Sequence, residues 1–372
     1  MRASIGRALA TLLVLTAGGM ADAQTGAASP DLKIISVDVE GGAAVLIRTP
    51  EGKSLLIDTG WKPGEGVPYP VAAGAPPIPQ PISADRIAAA AAGLGVGKID
   101  YLVMTHYHAD HLGGLEALLA RLPVGTFVDH GPNREIAPSG HAAAGSPEAR
   151  YPAWLAAAAG HPHISVRAGQ TLDIGSLHIL FVASDGEVLD ASLPEAGQSN
   201  PQCAGVKHVV NDGGDENNRS LGMLLRFGVT RIAYLGDLSW NKEIALLCPA
   251  NKVGKVDVYF VTGHGMNLSS SPPTAALDPL VAVMQNGPLK GGDQEVIRTV
   301  NAYPSLQGFW RTHATIRFPA LNGDPNFIAN TDEAQDRGYA IALDITRGGR
   351  ITATNIRNQF HKTYQARDTK PR

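Results

Sequence analysis

The sequence predicts a layered α/β fold built on mixed sheets. Two observations carry this expectation. Strand-length apolar runs alternate with helical stretches in each half of the 372-residue chain, the order that stacks helices on sheets. Several runs are also joined in pairs by short turns, as antiparallel hairpins are. Composition agrees, with 44% of residues hydrophobic and 17% charged. That is enough apolar material for one large domain or two small ones, and too little charge for a disordered chain. No repeat of fixed period is visible.

The elements follow in order. "LKIISVDVEGGAAVLIRTPEGKSLLIDTG" (32–60) reads as strands broken at Gly41-Gly42 and at the turn "PEGK". Residues 61–82 are rich in Pro and Gly and read as a loop. "SADRIAAAAAG" opens on a Ser/Asp helix start and continues as an alanine helix, stopped by glycines 93, 95 and 97. A buried strand, "IDYLVMT", comes next, then a helix in "ADHLGGLEALLARLP" and a strand in "GTFVDHG". "QTLDIGSLHILFVAS", "NRSLGMLLRFGVTRIAYLGDLS" and "YAIALDITRGGRITATN" read as hairpins. "KEIALLC" reads as helical, and "VDVYFVTGHG" as a strand running into His264. The folded unit is expected over 32–358, with loop insertions at 131–163, 185–216 and 271–340 and a C-terminal tail at 359–372.

The start of the chain reads as a processing signal. Arg2 and Arg7 precede an apolar run from Ala8 to Ala17, and Ala21-Asp22-Ala23 follows. This predicts a signal peptide over 1–23, cleaved after Ala23, with 24–31 as a linker. The apolar run is short of the ~20 residues a membrane span needs. The mature chain is therefore expected to be exported, periplasmic or secreted, with no span of its own. Cleavage would remove Arg2, Arg7 and Asp22 and take the net charge from −3 to −4. Such a balance does not advertise nucleic acid, so a small-molecule partner is expected. Cys203 and Cys248 could pair in an oxidising compartment or stay as buried thiols, and sequence leaves both open.

The chemistry concentrates in "MTHYHADHLGG" (104–114). His106, His108, Asp110 and His111 fill four of six positions, more than packing alone would place there. They sit where a strand ends and a helix begins, a place where side chains converge on a crevice. Imidazole with carboxylate suits a borderline divalent ion: Zn first, with Mn or Fe as alternatives. His106 and His108 are two apart and can point the same way in extended chain.

This run, H-x-H-x-D-H, resembles the signature of the metallo-β-lactamase-fold hydrolases. "LLIDTG" (55–60) is similar to that family's first motif, "YLGD" (234–237) to its bridging-aspartate strand, and "VTGHG" (261–265) to its last histidine motif. The resemblance spans about residues 32–270 and implies an αββα sandwich of two mixed sheets with outer helices. It also implies two divalent metal ions, held by His106, His108, Asp110, His111, Asp237 and His264, with Asp58 supporting the ligands from behind. Within the family, "VDVEGGAAVLI", "ENNRSLGMLLRFG" and "VDVYFVTGHGMNLSSS" look like the metallo-domain of competence-type DNA-uptake proteins and related phosphodiesterases.

Two departures stand out. Those relatives carry Gln-Gly-Asp where this chain has Gly41-Gly42-Ala43. Many members also have a third histidine where "DENNRS" (215–220) stands here. Asn217, Asn218 or Glu216 could supply oxygen instead, His208 could fold in, or the two asparagines could cap a turn. An oxygen donor would tilt that position toward harder ions. Asn218 and His130 are the further candidates for metal or substrate contact.

The resemblance implies a two-metal mechanism, in which ions roughly 3.5–4 Å apart lower the pKa of a shared water toward ~7. Asp110 is the expected catalytic residue, orienting that water or taking its proton. There is no G-x-S-x-G elbow to suggest a serine nucleophile. The acidic residues of 185–216 would repel a polyanion if they covered the crevice, which favours a small phosphodiester as substrate. The alternatives are a lactam, lactone or thioester on the same fold, or a non-catalytic binding protein with a degenerate site. Trp61, Trp154 and Trp240 lie close enough to the motifs to wall the crevice or to pack beneath it.

Overall fold

A computed structural model of the chain describes residues 31–66, 83–138, 140–210, 216–331 and 337–367. The expected signal peptide, all but the last residue of the linker, and most of the 61–82 loop lie outside these residues. No helix among the described residues is long and apolar enough to cross a membrane.

Two nine-stranded sheets form the body. In the first, His361–Gln365, Arg350–Asn355, Ile341–Ile345, Leu32–Ser36, Val45–Arg48 and Ser54–Ile57 run antiparallel. Ile99–Val103, Val124–Asp129 and His163–Ser165 then continue parallel to Ser54–Ile57. The second sheet repeats this plan. Thr171–Ile174, Leu177–Ser184, Gly222–Phe227 and Thr230–Tyr234 are antiparallel. Val258–Phe260, Val281–Met284, Gly308–His313 and Ile328–Asn330 extend it in parallel.

The strand sequences explain the layering. Leu32–Ser36 alternates buried with half-buried positions, while Ser54–Ile57 and Val281–Met284 are buried throughout, as strands covered on both faces must be. Ile34, Ile47, Leu55 and Val103 of the first sheet meet Phe181, Met223, Phe260 and Trp310 of the second in one core. Helices Ser83–Gly93 and Pro147–Ala158 cover the outer face of the first sheet through Ile87 and Trp154. Trp240–Leu247 and Gln294–Asn301 cover the second through Leu246, Ile297 and Val300. The result is the expected αββα sandwich.

Three expected boundaries need correction. Residues 271–340 are not a loop insertion, since they hold three parallel strands of the second sheet and the helix Gln294–Asn301. The strands Val281–Met284 and Ile328–Asn330 are only four and three residues long, too short for periodicity to show. Residues 131–163 contain the helix Pro147–Ala158, whose run of alanines and internal Pro152 hid its pattern. The tail at 359–372 contributes the strand His361–Gln365, where Tyr364 is the one buried side chain and accepts a hydrogen bond from Trp310. Cys203 and Cys248 are bridged, which ties the 185–216 insertion to the end of the helix Trp240–Leu247.

The parallel halves decide where chemistry can occur. Asp58, His106, Asp237, His264 and Lys290 all follow the C-terminal ends of strands in these two sheets. Both sheets present those ends at one rim, the crevice position of open α/β sheets.

Candidate metal centre

The strand Ile99–Val103 ends with Met104 N–H still donating to Val128 O at 2.9 Å. Beyond it the chain leaves the sheet and enters the short helix Ala109–Leu112. Two glycines let other loops close over this turn. A Cβ on Gly114 would lie 2.1 Å from Thr59 O, and one on Gly42 would lie 2.6 Å from Asp110 O. Close approach of backbone, not a phosphate cradle, is what these glycines provide.

Four donors converge across the rim. His111 Nε2 lies 3.2 Å from His264 Nε2, 3.2 Å from Asp110 Oδ2 and 3.3 Å from Asp237 Oδ1. His264 Nε2 lies 3.1 Å from Asp110 Oδ2 and 3.3 Å from Asp237 Oδ1. Donors arranged tetrahedrally about an ion ~2.1 Å away are ~3.4 Å apart. The spacing is therefore that of a coordination shell, and all four residues are buried. His106 Nε2 and His108 Nδ1 form a pair beside them, 2.9 Å apart, with the His106 and His111 rings 4.0 Å apart.

Each imidazole is aimed by a partner on its other nitrogen. His111 Nδ1 meets Asp58 Oδ2 at 2.8 Å, and Asp58 is itself fixed by the Thr105 N–H and hydroxyl, both at 2.8 Å. His264 Nδ1 lies 3.0 Å from the Gln285 carbonyl, so it must donate there and leave Nε2 with its lone pair. His108 Nε2 lies 3.3 Å from Glu135 Oε2, and His106 Nδ1 lies 3.1 Å from Thr105 Oγ1. Such outer contacts fix tautomer and ring orientation at metal sites. Asp58 and His264 both have φ near +60°, a strained backbone that recurs at functional sites.

The charges are strongly coupled. Burial, together with the neighbouring His111 and His108, holds the His106 imidazole well below its usual pKa. Burial also opposes charge on His111 and His264. The Asp110, Asp237 and Asp58 carboxylates outweigh it at His111, and Asp237 and Asp110 at His264, so both imidazoles are raised. Against the same burial, Lys290 and His111 depress Asp110, and His264 and His111 depress Asp237. Imidazoles and carboxylates thus each favour the charged form of the other, a role that a divalent cation would take over. The donor set fits such an ion: two carboxylate oxygens and two imidazole nitrogens, preset in direction.

The remaining candidates are placed differently. His130 is not a crevice residue. Its side chain is buried behind the His108 loop, with Nε2 3.2 Å from Glu216 Oε2, which corrects the expectation of substrate contact. Glu216 is also buried and accepts from the Tyr107 N–H at 3.2 Å and the Arg134 N–H at 3.1 Å. The Asn218 side-chain oxygen accepts from the Ser239 hydroxyl at 2.5 Å. Asn217 is buried with a side-chain oxygen that accepts no hydrogen bond from the described residues. His208 is exposed. Neither of the two groups of three or more close donors found among the described residues includes His106 or His108. Trp154 is fully buried and donates to Asp129 at 2.7 Å, while Trp61 and Trp240 are half-buried.

Sequence reasoning missed Lys290, Glu135 and Gln285. Lys290 donates to Asp110 Oδ2, yet it lies in a stretch read as loop. Glu135 and Gln285 act through neighbours distant in sequence, so no local spacing marked them. A second acidic-histidine group, Asp38, Glu40 and His313, was also missed. His313 was read only as a strand residue, and it does lie in Gly308–His313.

Two facing sheets thus carry a group of metal-grade donors on one rim. The sequence model of the Metallo-beta-lactamase superfamily matches residues 37–194. No curated protein sequence matches it. Among solved structures it is similar to the metallo-beta-lactamase fold protein YhfI from Bacillus subtilis, at 12% identity over 75% of this chain and 95% of that one, with a TM-score of 0.41. It is similar to a new diphosphatase from the PhnP family at 14% identity, over 85% and 98% of the two chains, with a TM-score of 0.39. It is also similar to CmlA, a diiron beta-hydroxylase from Streptomyces venezuelae, at 15% identity and a TM-score of 0.39, over 76% of this chain and 53% of that one. Likeness at this level bears on neither substrate nor metal.

Proposed function

We propose that the protein is an exported hydrolase that uses two divalent ions, Zn in the first place, to cleave a small phosphodiester. The observation that carries the substrate class is a cation at the donor group. Lys290 reaches Asp110 from the rim, and an anionic diester, unlike a neutral lactone, brings a charge for it to meet. Asp110, His111, Asp237 and His264 would hold one ion, and His106 with His108 would supply donors to the other. Bound there, divalent ions lower the pKa of a coordinated water and offset the charge that develops on the substrate oxygens. The chain's own contribution is orientation. Asp58, Gln285 and Glu135 aim the imidazoles, and half-buried Trp61 offers an apolar wall.

The acidic insertion no longer argues for a small substrate. Asp185 pairs with Arg219 at 2.7 Å, Glu195 pairs with Arg226 and Arg231, and Glu216 is buried. Smallness rests instead on a net charge of −3, which does not draw a polyanion. Export is supported by the N-terminal signal and by the Cys203–Cys248 bridge, which suits an oxidising compartment.

The test is turnover by the mature chain with added Zn or Mn, using bis-p-nitrophenyl phosphate beside nitrocefin and a lactone panel. Metal-dependent hydrolysis of the diester is expected. Turnover of the lactam or lactones alone would move the substrate to a carbonyl compound. Less than one ion per chain by elemental analysis, with no hydrolysis, would leave a binding protein.

A further inference from the structure

Lys290 is held in an unusual place. Its ammonium donates to Asp110 Oδ2, the same oxygen that faces His111 Nε2 and His264 Nε2. It also donates to Gly41 O at 2.9 Å and lies 5.3 Å from the centre of the Trp61 ring. Its side chain is 15% exposed, so it reaches from solvent into the donor group. The loop that carries it is fixed on the centre itself: Gly287 N–H donates to Lys290 O at 2.9 Å, and Gly292 N–H donates to His264 O at 3.1 Å.

One carboxylate oxygen facing a ring of metal-grade donors cannot serve an ammonium and a divalent ion equally. The two cations repel, and in a buried setting that repulsion is strong. The doubly charged ion, gripped by four donors, wins the oxygen. Lys290 keeps the Gly41 carbonyl and the Trp61 face, each worth a fraction of what it loses. It is then left at the rim with hydrogen-bond donors to satisfy, and an anion is what satisfies them.

We propose that Lys290 is the counter-ion that a divalent metal displaces from Asp110, and that the displaced ammonium becomes the contact for an anionic oxygen of the substrate. The second half rests on the phosphodiester reading above, and the first half does not. The arrangement couples the two ligands: metal binding frees the lysine, and the lysine then favours the anion, so each raises the affinity for the other.

The experiment uses the mature chain and the variants Lys290→Met, Lys290→Gln and Lys290→Arg. Zinc affinity is measured by chelator competition, and inorganic phosphate binding by calorimetry on metal-free and zinc-loaded protein. Removing the ammonium should tighten zinc about tenfold, because nothing has to be displaced, and weaken phosphate binding to the zinc-loaded protein about tenfold. Lys290→Arg should retain phosphate binding, and metal-free wild type should bind none. A lysine that merely holds Asp110 in place predicts the opposite sign, weaker zinc in Lys290→Met and Lys290→Gln, and that result overturns the proposal. Unchanged phosphate affinity in the same variants overturns its second half. If the zinc and phosphate results hold but wild type does not turn over bis-p-nitrophenyl phosphate, the diester reading fails and the role of Lys290 stands.

Discussion

The molecule holds two buried groups of carboxylates and imidazoles, and they differ in how their charge is met. At the rim, Asp110 and Asp237 face His111 and His264, with Lys290 touching one oxygen from outside. Between the sheets, Asp38 and Glu40 face His313, but here Arg86 donates to both carboxylates at 2.7 Å. Asn330 adds a bond to Asp38 at 3.1 Å, and His313 Nε2 lies 2.8 Å from it. The inner group already has its cation, supplied by the helix Ser83–Gly93. It ties the loop after Leu32–Ser36 to the strand Gly308–His313, and so one sheet to the other. Residue type alone would class both groups as metal sites. The permanent guanidinium separates them.

The largest effect should come from breaking the inner group. Arg86→Met would leave Asp38 and Glu40 buried without their cation, and stranding one side of a buried pair costs about 3–5 kcal/mol. Denaturant unfolding should show that loss. Zinc affinity, measured on the fraction still folded, should change little, because the rim donors do not contact Arg86. A large loss of zinc binding at unchanged stability would mean that the inner group is the metal site.

A third buried carboxylate sharpens the contrast. Asp38 is buried, which alone would raise its pKa, but His313 and Arg86 outweigh burial and bring it down to about 2. Glu243 is as deeply buried and is paired with no cation among the described residues. The N–H groups of Ser270 and Ser271 donate to its oxygens at 2.9 and 2.7 Å, but burial outweighs these hydrogen bonds and raises it to about 7. The signs of their pH dependence therefore differ. Glu243 binds its proton more tightly folded than unfolded, so its contribution is complete below about 4.5 and fades as pH rises through about 7. Asp38 contributes above about 4 and loses that contribution only as pH falls through about 2. Between pH 5 and 8, wild type should lose on the order of 3 kcal/mol through Glu243, and Glu243→Gln should flatten that slope. An unchanged slope in the variant would show that Glu243 keeps an ordinary pKa.

What the sequence revealed follows the same line. The cluster at 106–111 was legible because its four donors are nearly adjacent, and Asp237 and His264 because "YLGD" and "VTGHG", following it in order, resemble motifs of one family. A layered α/β fold with mixed sheets was legible through the hairpins and the buried runs, and the αββα order through the family resemblance. Asp38, Glu40 and His313 were not legible as a group, since 275 residues separate Asp38 from His313 and only the facing of two sheets joins them. Lys290 was hidden for a related reason. The four-residue strand before it carried no periodicity, so the loop it serves had no visible anchor. His130 misled because a histidine at a strand end beside the motif helix looks exposed, and nothing local revealed that Glu216 covers it.

The smallest predicted effect tests how far the rim group depends on what stands behind it. Asp58 does not face the donors' centre. It receives the Thr105 N–H and hydroxyl, and it orients His111 through Nδ1. Its φ of 61° suits asparagine as well as aspartate, so Asp58→Asn should fold. The amide can still accept from Thr105, but it presents no charged acceptor to His111. Losing such a partner weakens metal binding about 10- to 100-fold, which chelator competition on the folded variant would read. The same variant should leave unfolding stability of the metal-free chain within about 1–2 kcal/mol, because the replaced group keeps most of its hydrogen bonds. Equal zinc affinity in variant and wild type would mean that His111 is aimed by the backbone turn alone, and the strained backbone at Asp58 would then need another explanation.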